Sequence, residues 1–257
     1  MWSKNYKQCG GAFQSPVDIV RSETQFDANL KPVGIMAGAD VQSWERQMYR
    51  VRNDNHSMEM TFPEGLWKVA LENDTSGMYC VTELHFHWGA NGTLGSEHTL
   101  DGNSFSFEAH LVMHNCEIYG TLDNALISPH GVAVLGFWVQ EKPDVKLADS
   151  FIGVMGQLGT TLQTVLDLDS PILIPAFNLS ELMNLVDPGA YYRYMGSLTT
   201  PPCIPNVMWT VFTKVIPMST AQQASSVAEK MFKIANRLES QDVSFGLLAS
   251  TNKIKPQ

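Results

Sequence analysis

The sequence predicts a mainly β protein of the α+β class with a few short peripheral helices. Several segments alternate apolar and polar residues with a period of two, which is typical of strands buried on one face. Helical periodicity is confined to two short segments. The composition, with 44% hydrophobic and 17% charged residues in a chain of 257, is that of a folded globular protein. These patterns alone do not distinguish a sandwich, a barrel and a large open sheet.

Four segments are predicted strands, in chain order. Residues 79–88 and 105–114 both alternate, and in the second the odd positions are all apolar. Residues 131–139 form an apolar run that predicts a strand buried on both faces. Residues 207–215 form a fourth strand.

Two helices are predicted, a short one from Ser180 and a longer one from Ser219. In the second, Ser219 and Gln222 form a capping box ahead of apolar positions at helical spacing. Those positions are Val227, Met231, Ile234 and Leu238. The chain contains no repeats, low-complexity segments or Pro/Ser-rich linkers, and so we expect one domain over residues 1–257.

The charge of the chain argues against two classes of partner. Lys and Arg number 17 against 26 Asp and Glu, the net charge is −9, and no basic run occurs. Nucleic acid and anionic membranes both require clustered positive charge, and so neither is an expected partner. The longest uncharged apolar stretch, residues 131–139, is too short to cross a bilayer.

Two signals predict a secreted, extracellular protein. The four cysteines are even in number, widely spaced and free of CxxC pairs. Four glycosylation sequons begin at Asn55, Asn73, Asn91 and Asn178. Because Met1 runs directly into polar residues, we expect the sequence to be a trimmed form without its targeting segment.

Three histidines on two predicted strands suggest a metal centre. His85 and His87 are two residues apart and therefore project from the same face of one strand. His110 follows 23 residues later on the ionisable face of the next strand. Three imidazoles from adjacent antiparallel strands form a three-nitrogen bowl, and three protein ligands with an open fourth position are typical of catalytic zinc.

Two glutamates are placed to hold the outer ring nitrogens of these histidines. Glu83 lies two residues before His85, and Glu108 lies two residues before His110. A ligating histidine needs such an acceptor to set its tautomer and ring angle. The alternative interpretation is that these histidines are ordinary half-buried polar residues.

Five motifs, in the same order as in the family, resemble the α-class carbonic anhydrases of the secreted type. They are residues 14–19 (QSPVDI), 83–89 (ELHFHWG), 95–99 (GSEHT), 108–112 (EAHLV) and 192–202 (YRYMGSLTTPP), and the resemblance extends from residue 2 to about 215. It implies one domain built on a large twisted, mostly antiparallel central sheet. It also implies zinc at the foot of a cone-shaped cleft, with His85, His87 and His110 as ligands.

The resemblance implies reversible hydration of carbon dioxide to bicarbonate and a proton, by attack of a zinc-bound hydroxide. Thr199 would accept a hydrogen bond from that hydroxide and donate one to Glu97, and Thr200 would help to seat bicarbonate. His98 would be a buried structural partner, not a fourth ligand. Anions and sulfonamides are the inhibitors that the resemblance implies.

The resemblance also implies an apolar wall for carbon dioxide and a proton shuttle. The wall residues are Val112, Val134, Leu198, Val207 and Trp209. His56 matches the shuttle position, because histidine titrates near neutrality. We expect Asp54 and Glu59 to make the nearby wall acidic, to raise the pKa of His56 and to slow proton release.

One disulfide follows from the resemblance and another is left open. Cys9 and Cys203 match the disulfide of secreted family members, which would pin the amino-terminal segment to the loop that carries Thr199. Cys80 and Cys116 lie on the two histidine strands but are one residue out of register with the pair His85–His110. A second bridge would therefore need a bulge to bring the two side chains together.

Other functions are consistent with the same fold. A catalytically weak carbonic-anhydrase-like extracellular binding module, or a biomineral-matrix module, is the alternative to an enzyme. Binding relatives lose one or more zinc histidines, whereas this chain keeps all three. The sequence leaves the oligomeric state open.

Overall fold

The structure, a computed structural model, describes residues 2–39, 43–53, 57–71, 77–89, 94–142, 145 and 171–219. Within these residues the strands are β1 (Asp18–Ile19), β2 (Gly34–Ala37), β3 (Met48–Asn53), β4 (Met58–Thr61), β5 (Trp67–Ala70), β6 (Tyr79–Trp88), β7 (Thr99–Leu100), β8 (Phe107–Asn115), β9 (Val132–Lys142), β10 (Ile172–Pro175), β11 (Tyr191–Ser197), β12 (Pro205–Phe212) and β13 (Ile216–Ser219). The α-helices there are α1 (Cys116–Tyr119) and α2 (Leu122–Leu126).

Most of these strands form one large sheet in the order β10-β3-β4-β6-β8-β9-β12-β11. β5 also pairs with β6 and connects it to β2, and β13 pairs with β9. Neighbouring strands are antiparallel except where β9 meets β12 and β13, which run parallel to it. β1 and β7 form a separate parallel pair. The predicted mainly β fold with a mostly antiparallel sheet is confirmed.

The large sheet separates two hydrophobic clusters, because successive side chains of a strand point to opposite faces. On β8, residues 107, 109, 111 and 113 enter the larger cluster, whereas Val112 enters the smaller one. β9 and β12 divide their residues in the same way. The three histidines share the face of the smaller cluster. Leu84 and Phe86 lie in the larger cluster behind them, as the alternation predicts.

The four predicted strands are all present, and three of them have shifted ends. Residues 79–88 match β6, whereas the second strand lies at 107–115 and the third at 132–142. The fourth was predicted to continue to residue 215 but ends at Phe212. Just beyond that end, the backbone N–H and the hydroxyl of Thr213 both donate to the carbonyl oxygen of Ala190, the residue before β11.

The two predicted helices have different outcomes. The first is confirmed as a 3₁₀ helix, Leu179–Leu185, which begins where the Asn178 side chain accepts a hydrogen bond from the Ser180 N–H. For the second, Ser219 is the last residue of β13, and residues 220–257 lie outside the described residues. In the part of the chain that the structure describes, no helix has the length and apolar character that a membrane crossing requires.

A β-bulge at Thr82 changes which residues of β6 face the core. The pairing with β8 shifts between Val81 and Glu83, and so Thr82 is an extra residue on β6. Before the bulge the odd-numbered residues Tyr79 and Val81 are in the larger cluster, whereas after it the even-numbered residues are. The bulge is anchored to the residue that follows β4, because the Thr82 carbonyl accepts a hydrogen bond from the Phe62 N–H.

Both disulfides are formed, and no cysteine is free. Cys9–Cys203 joins the amino-terminal segment to the loop after β11. Cys80–Cys116 joins the start of β6 to the first residue of α1. The bulge leaves Cys80 facing His114 across the strands, so that Cys116 reaches Cys80 diagonally from the helix. The bridge therefore forms without the two cysteines facing one another.

Candidate metal centre

The three histidines converge at one point on the sheet. His85 and His110 are direct partners across β6 and β8, and His87 is two residues further along β6. The ring centroids are 5.2 Å apart for the first pair, 5.1 Å for His85–His87 and 4.6 Å for His87–His110. One nitrogen of each ring lies within 4.8 Å of the others. The two strands thus bring together the ligands that the sequence predicted.

The outer nitrogens of two rings are held by the predicted carboxylates. His85 Nδ1 lies 3.1 Å from Glu83 Oε1, and His110 Nε2 lies 2.7 Å from Glu108 Oε1. A carboxylate can only accept, and so the ring proton lies on the outer nitrogen. His85 Nε2 and His110 Nδ1, which are 3.3 Å apart, therefore direct their lone pairs into the centre.

Burial keeps the rings of His87 and His110 neutral. Burial lowers the pKa of His110 to about 4, although the negative charge of Glu108 opposes that shift. Burial, followed by the neighbouring His110 and His85, places the pKa of His87 well below its ordinary value. At neutral pH both imidazoles are uncharged, which is the form that binds a metal ion.

The donor set fits a divalent ion such as zinc. Among the described residues, His87 Nε2 is buried without a hydrogen-bond partner, although Glu97 Oε2 is 3.3 Å away. A buried ring nitrogen without a partner is costly unless a ligand occupies its lone pair. Within the described residues this group offers three imidazole nitrogens and no fourth ligand atom, which matches catalytic zinc.

His98 belongs to a second buried group that shares Glu108. His98 Nδ1 lies 2.6 Å from Glu108 Oε1, and His98 N–H donates to Oε2 at 2.7 Å. Its other ring nitrogen lies 2.6 Å from the Tyr194 hydroxyl, which also bonds Ser15 Oγ at 2.7 Å. Both ring nitrogens of His98 are therefore engaged, which supports leaving it out of the ligand set. Tyr194 and Ser15 were not among the predicted site residues.

The pKa of Glu108 is held low by its partners. Burial would raise the pKa of this carboxyl, but its interactions with His98 and His110, which include a hydrogen bond to each ring, lower it well below its usual range. Glu108 is therefore an ionised acceptor that holds two histidines at once. Its side chain is fully buried.

Glu97 lies beside the centre and contacts the predicted threonine. Its Oε2 is 3.3 Å from His87 Nε2 and 3.8 Å from His110 Nδ1. Burial, and next the charge of Glu108, raise the pKa of Glu97 to about 7, while a hydrogen bond with Thr199 opposes this rise. The Thr199 hydroxyl therefore lies near the Glu97 carboxyl, and the role predicted for this pair stays a prediction.

The loop with Thr199 and Thr200 is tied at both ends. Leu198 N–H donates to the Ile204 carbonyl, and Cys203 N–H donates to the Thr200 carbonyl. The Cys9–Cys203 disulfide adds a covalent link at the end of this turn. Thr200 is exposed, whereas Thr199 is half-buried.

The predicted apolar wall lies on the same face as the histidines. Val112, Val134, Val207 and Trp209 are buried in the smaller cluster, and Leu198 packs against it. Val112 and Val134 are cross-strand partners, and the parallel pairing of β12 with β9 places Trp209 opposite Val134. The Trp209 and His110 ring centroids are 4.8 Å apart. An apolar surface therefore borders the metal centre.

Comparison with known proteins shows the family. A family model for eukaryotic-type carbonic anhydrase matches residues 1–241. The chain is 35% identical to human carbonic anhydrase 12 over 222 residues, which are 86% of this chain and 58% of that protein. It is 33% identical to mouse carbonic anhydrase 6 over 229 residues, 86% of this chain and 66% of that one. The chain belongs to the eukaryotic-type carbonic anhydrase family. It spans less than two thirds of the length of these two relatives.

In this carbonic anhydrase domain, the Glu59 carboxylate on the neighbouring strand β4 does not lie unpaired in the wall that was predicted to be acidic. It is paired with Arg52 through two hydrogen bonds of 2.8 Å. Burial raises the pKa of Glu59 although Arg52 opposes it. The predicted acidic wall thus contains a compensated charge at Glu59. Asp54 and the predicted shuttle His56 lie outside the described residues.

Sequence reasoning missed Arg52, although a signal for it exists. Arg52 and Glu59 are opposite charges on two short strands, and they become direct cross-strand partners once β3 and β4 pair.

The sequon asparagines Asn55, Asn73 and Asn91 lie outside the described residues.

Proposed function

We propose that this carbonic anhydrase domain catalyses the reversible hydration of carbon dioxide to bicarbonate and a proton as one zinc-dependent catalytic domain. The observation that carries the proposal is the convergence of three imidazole nitrogens beside an apolar wall. His85, His87 and His110 would hold the ion. Bound zinc would supply a nucleophile at neutral pH, because it lowers the pKa of water to about 7.

Glu97, Thr199 and the apolar wall orient the attacking oxygen and the substrate. The positive charge of a bound metal ion would favour the ionised form of Glu97, whose pKa is otherwise raised by burial. That carboxylate would accept a hydrogen bond from the Thr199 hydroxyl, which leaves the Thr199 oxygen able only to accept one from the attacking oxygen. That bond turns a lone pair of the attacking oxygen toward the substrate. An apolar wall that includes Val112 and Val134 binds carbon dioxide, because this molecule carries no net charge that a charged side chain could bind.

The remaining assignments belong to the same proposal. Thr200, which is exposed, seats bicarbonate, and His56 carries the released proton to the solvent. Sulfonamides and inorganic anions would inhibit by taking the open metal position. Two disulfides favour an oxidising compartment, and so we propose an extracellular location.

Stopped-flow hydration of carbon dioxide on zinc-loaded protein tests the function. We expect hydration well above the buffer rate, and loss of it both on chelation and in His110→Ala, because that variant loses one of the three ligands. The matched control is His130→Asn, an exposed histidine with a positive φ that asparagine tolerates, and it should keep the full rate. One bound zinc per chain without hydration would instead favour the binding-module alternative.

A further inference from the structure

A chain of charged groups crosses three strands and ends on His85. Arg52 Nε and Nη2 donate to the two carboxyl oxygens of Glu59, each at 2.8 Å. The Glu59 side chain lies diagonally opposite Glu83 on the next strand, and the two carboxyl groups are close enough to shift the pKa of one another. Glu83 Oε1 in turn lies 3.1 Å from His85 Nδ1.

The register of the strands produces this chain of contacts. Arg52 on β3 is the direct partner of Glu59 on β4, and Glu59 is the direct partner of His85 on β6. Direct partners in antiparallel strands project from the same face. Glu83, two residues before His85, also shares that face and lies diagonally opposite Glu59.

The burial of Glu59 shows that this position is constrained. Its side chain is 8% exposed, whereas that of Arg52 is 48% exposed. A buried carboxyl group is costly unless it is paired and hydrogen-bonded. Its neighbours Met58 and Met60 fill the other face of β4 with apolar side chains, and so Glu59 is a polar group directed toward the centre.

We infer that Glu59, clamped by Arg52, is a positioning residue that holds the Glu83 carboxylate against His85 and so sets the orientation of this metal ligand. The two bonds from Arg52 fix both oxygens of Glu59. Glu59 then limits the rotation of Glu83, whose side chain is 25% exposed and would otherwise turn toward solvent. The inference rests on the proposed zinc site and extends the support of His85 outward to β3.

The measurement is the rate at which zinc leaves the protein, followed with a chromophoric chelator in excess. We expect Glu59→Ala to speed dissociation about tenfold, the lower end of the effect of losing an outer partner. Glu59→Gln keeps a hydrogen-bonding group against Glu83 and should stay near the wild-type rate. Glu181→Ala, an exposed glutamate on the helix Leu179–Leu185, is the control and should also stay there.

A double-mutant cycle separates positioning from general support of the sheet. If Glu59 acts through Glu83, then Glu59→Ala has no further effect on zinc dissociation in a Glu83→Ala background. Arg52→Met removes the two bonds to Glu59 and leaves both carboxyl groups in place. It should speed zinc dissociation when Glu83 is present but not in the Glu83→Ala background. If Glu59→Ala does not fold, Arg52→Met can replace it in the double-mutant cycle.

Two outcomes would overturn the inference. One is unchanged zinc dissociation in both Glu59→Ala and Arg52→Met. The other is an equal acceleration with and without Glu83, because this would show that the effect does not pass through that carboxylate. If the wild-type protein binds no zinc, the proposed function itself is wrong. That result is obtained before any variant is compared, and so it can be told apart from a failure of the inference about Glu59.

Discussion

Glu108 Oε1 lies 2.7 Å from the outer ring nitrogen of His110, two residues further along β8. The same oxygen is 2.6 Å from His98 Nδ1, and so one carboxylate holds both rings. The Glu108 side chain, which carries this charge, is fully buried. The site therefore depends on Glu108 for its geometry and for the stability of the surrounding sheet.

Replacement of Glu108 should affect zinc binding and stability differently in two variants. In Glu108→Gln the amide keeps an acceptor oxygen but loses the charge, and zinc affinity should fall about 10- to 100-fold. In Glu108→Ala the donors of His98 and His110 lose their partner, at about 1–3 kcal/mol for each unpaired group. Chelator competition and urea unfolding measure the two effects. Wild-type zinc affinity in Glu108→Gln would contradict the role given to this carboxylate.

The stability of the metal-free protein should depend on Glu97 in a pH-specific way. Its pKa is about 7 in the folded chain, against an ordinary value of 4.5. Because the folded pKa is raised, the unfolded chain releases this proton first, and stability is lost as pH rises from about 4.5 to 7. Glutamine resembles the neutral acid, and so Glu97→Gln should be more stable than wild type at pH 8 and equal to it at pH 4.

Urea unfolding of chelated protein at several pH values checks this prediction for Glu97. The exposed Glu181→Gln is the matched control and should show no such pH-dependent difference. A constant stability difference between Glu97→Gln and wild type over pH 4–8 would show that Glu97 is not held in its neutral form by the fold.

The Cys80–Cys116 bridge should contribute substantially to stability. The two residues are 36 apart in sequence, and a loop of that length corresponds to about 4 kcal/mol in the chain-entropy model. Cys80→Ser/Cys116→Ser should therefore lower the free energy of unfolding by about 2–4 kcal/mol. The double variant also avoids a new free thiol. An unchanged free energy of unfolding would mean that the bulge at Thr82 holds the strands without the covalent link.

The apolar wall should matter for turnover more than for zinc binding. Val112 is 8% exposed and projects from β8 on the same face as His110. Val112→Asn would bring a hydrated amide to this surface, and we expect kcat/KM for carbon dioxide to fall about tenfold, which corresponds to about 1.4 kcal/mol. Zinc content should not change. Val112→Ala, which stays apolar, is the control and should lose less activity.

Much of the metal centre could be predicted from local spacing. His85 and His87 share a face because side chains alternate along any strand, whatever the strand pairs with. The same rule places Glu83 beside His85 and Glu108 beside His110. The apolar residues behind them, Leu84 and Phe86, are buried for the same reason. The order of the family motifs predicted the fold and the family.

The tertiary structure decided what depends on register between distant segments. The bulge at Thr82 reverses the alternation of β6, and it is through this shift that Cys80 comes to face His114 while bridging to Cys116. Arg52 and Glu59 became partners only when β3 and β4 paired. Period-two patterns specify which residues share a face of one strand, but only the pairing of strands specifies which residue faces them from the next.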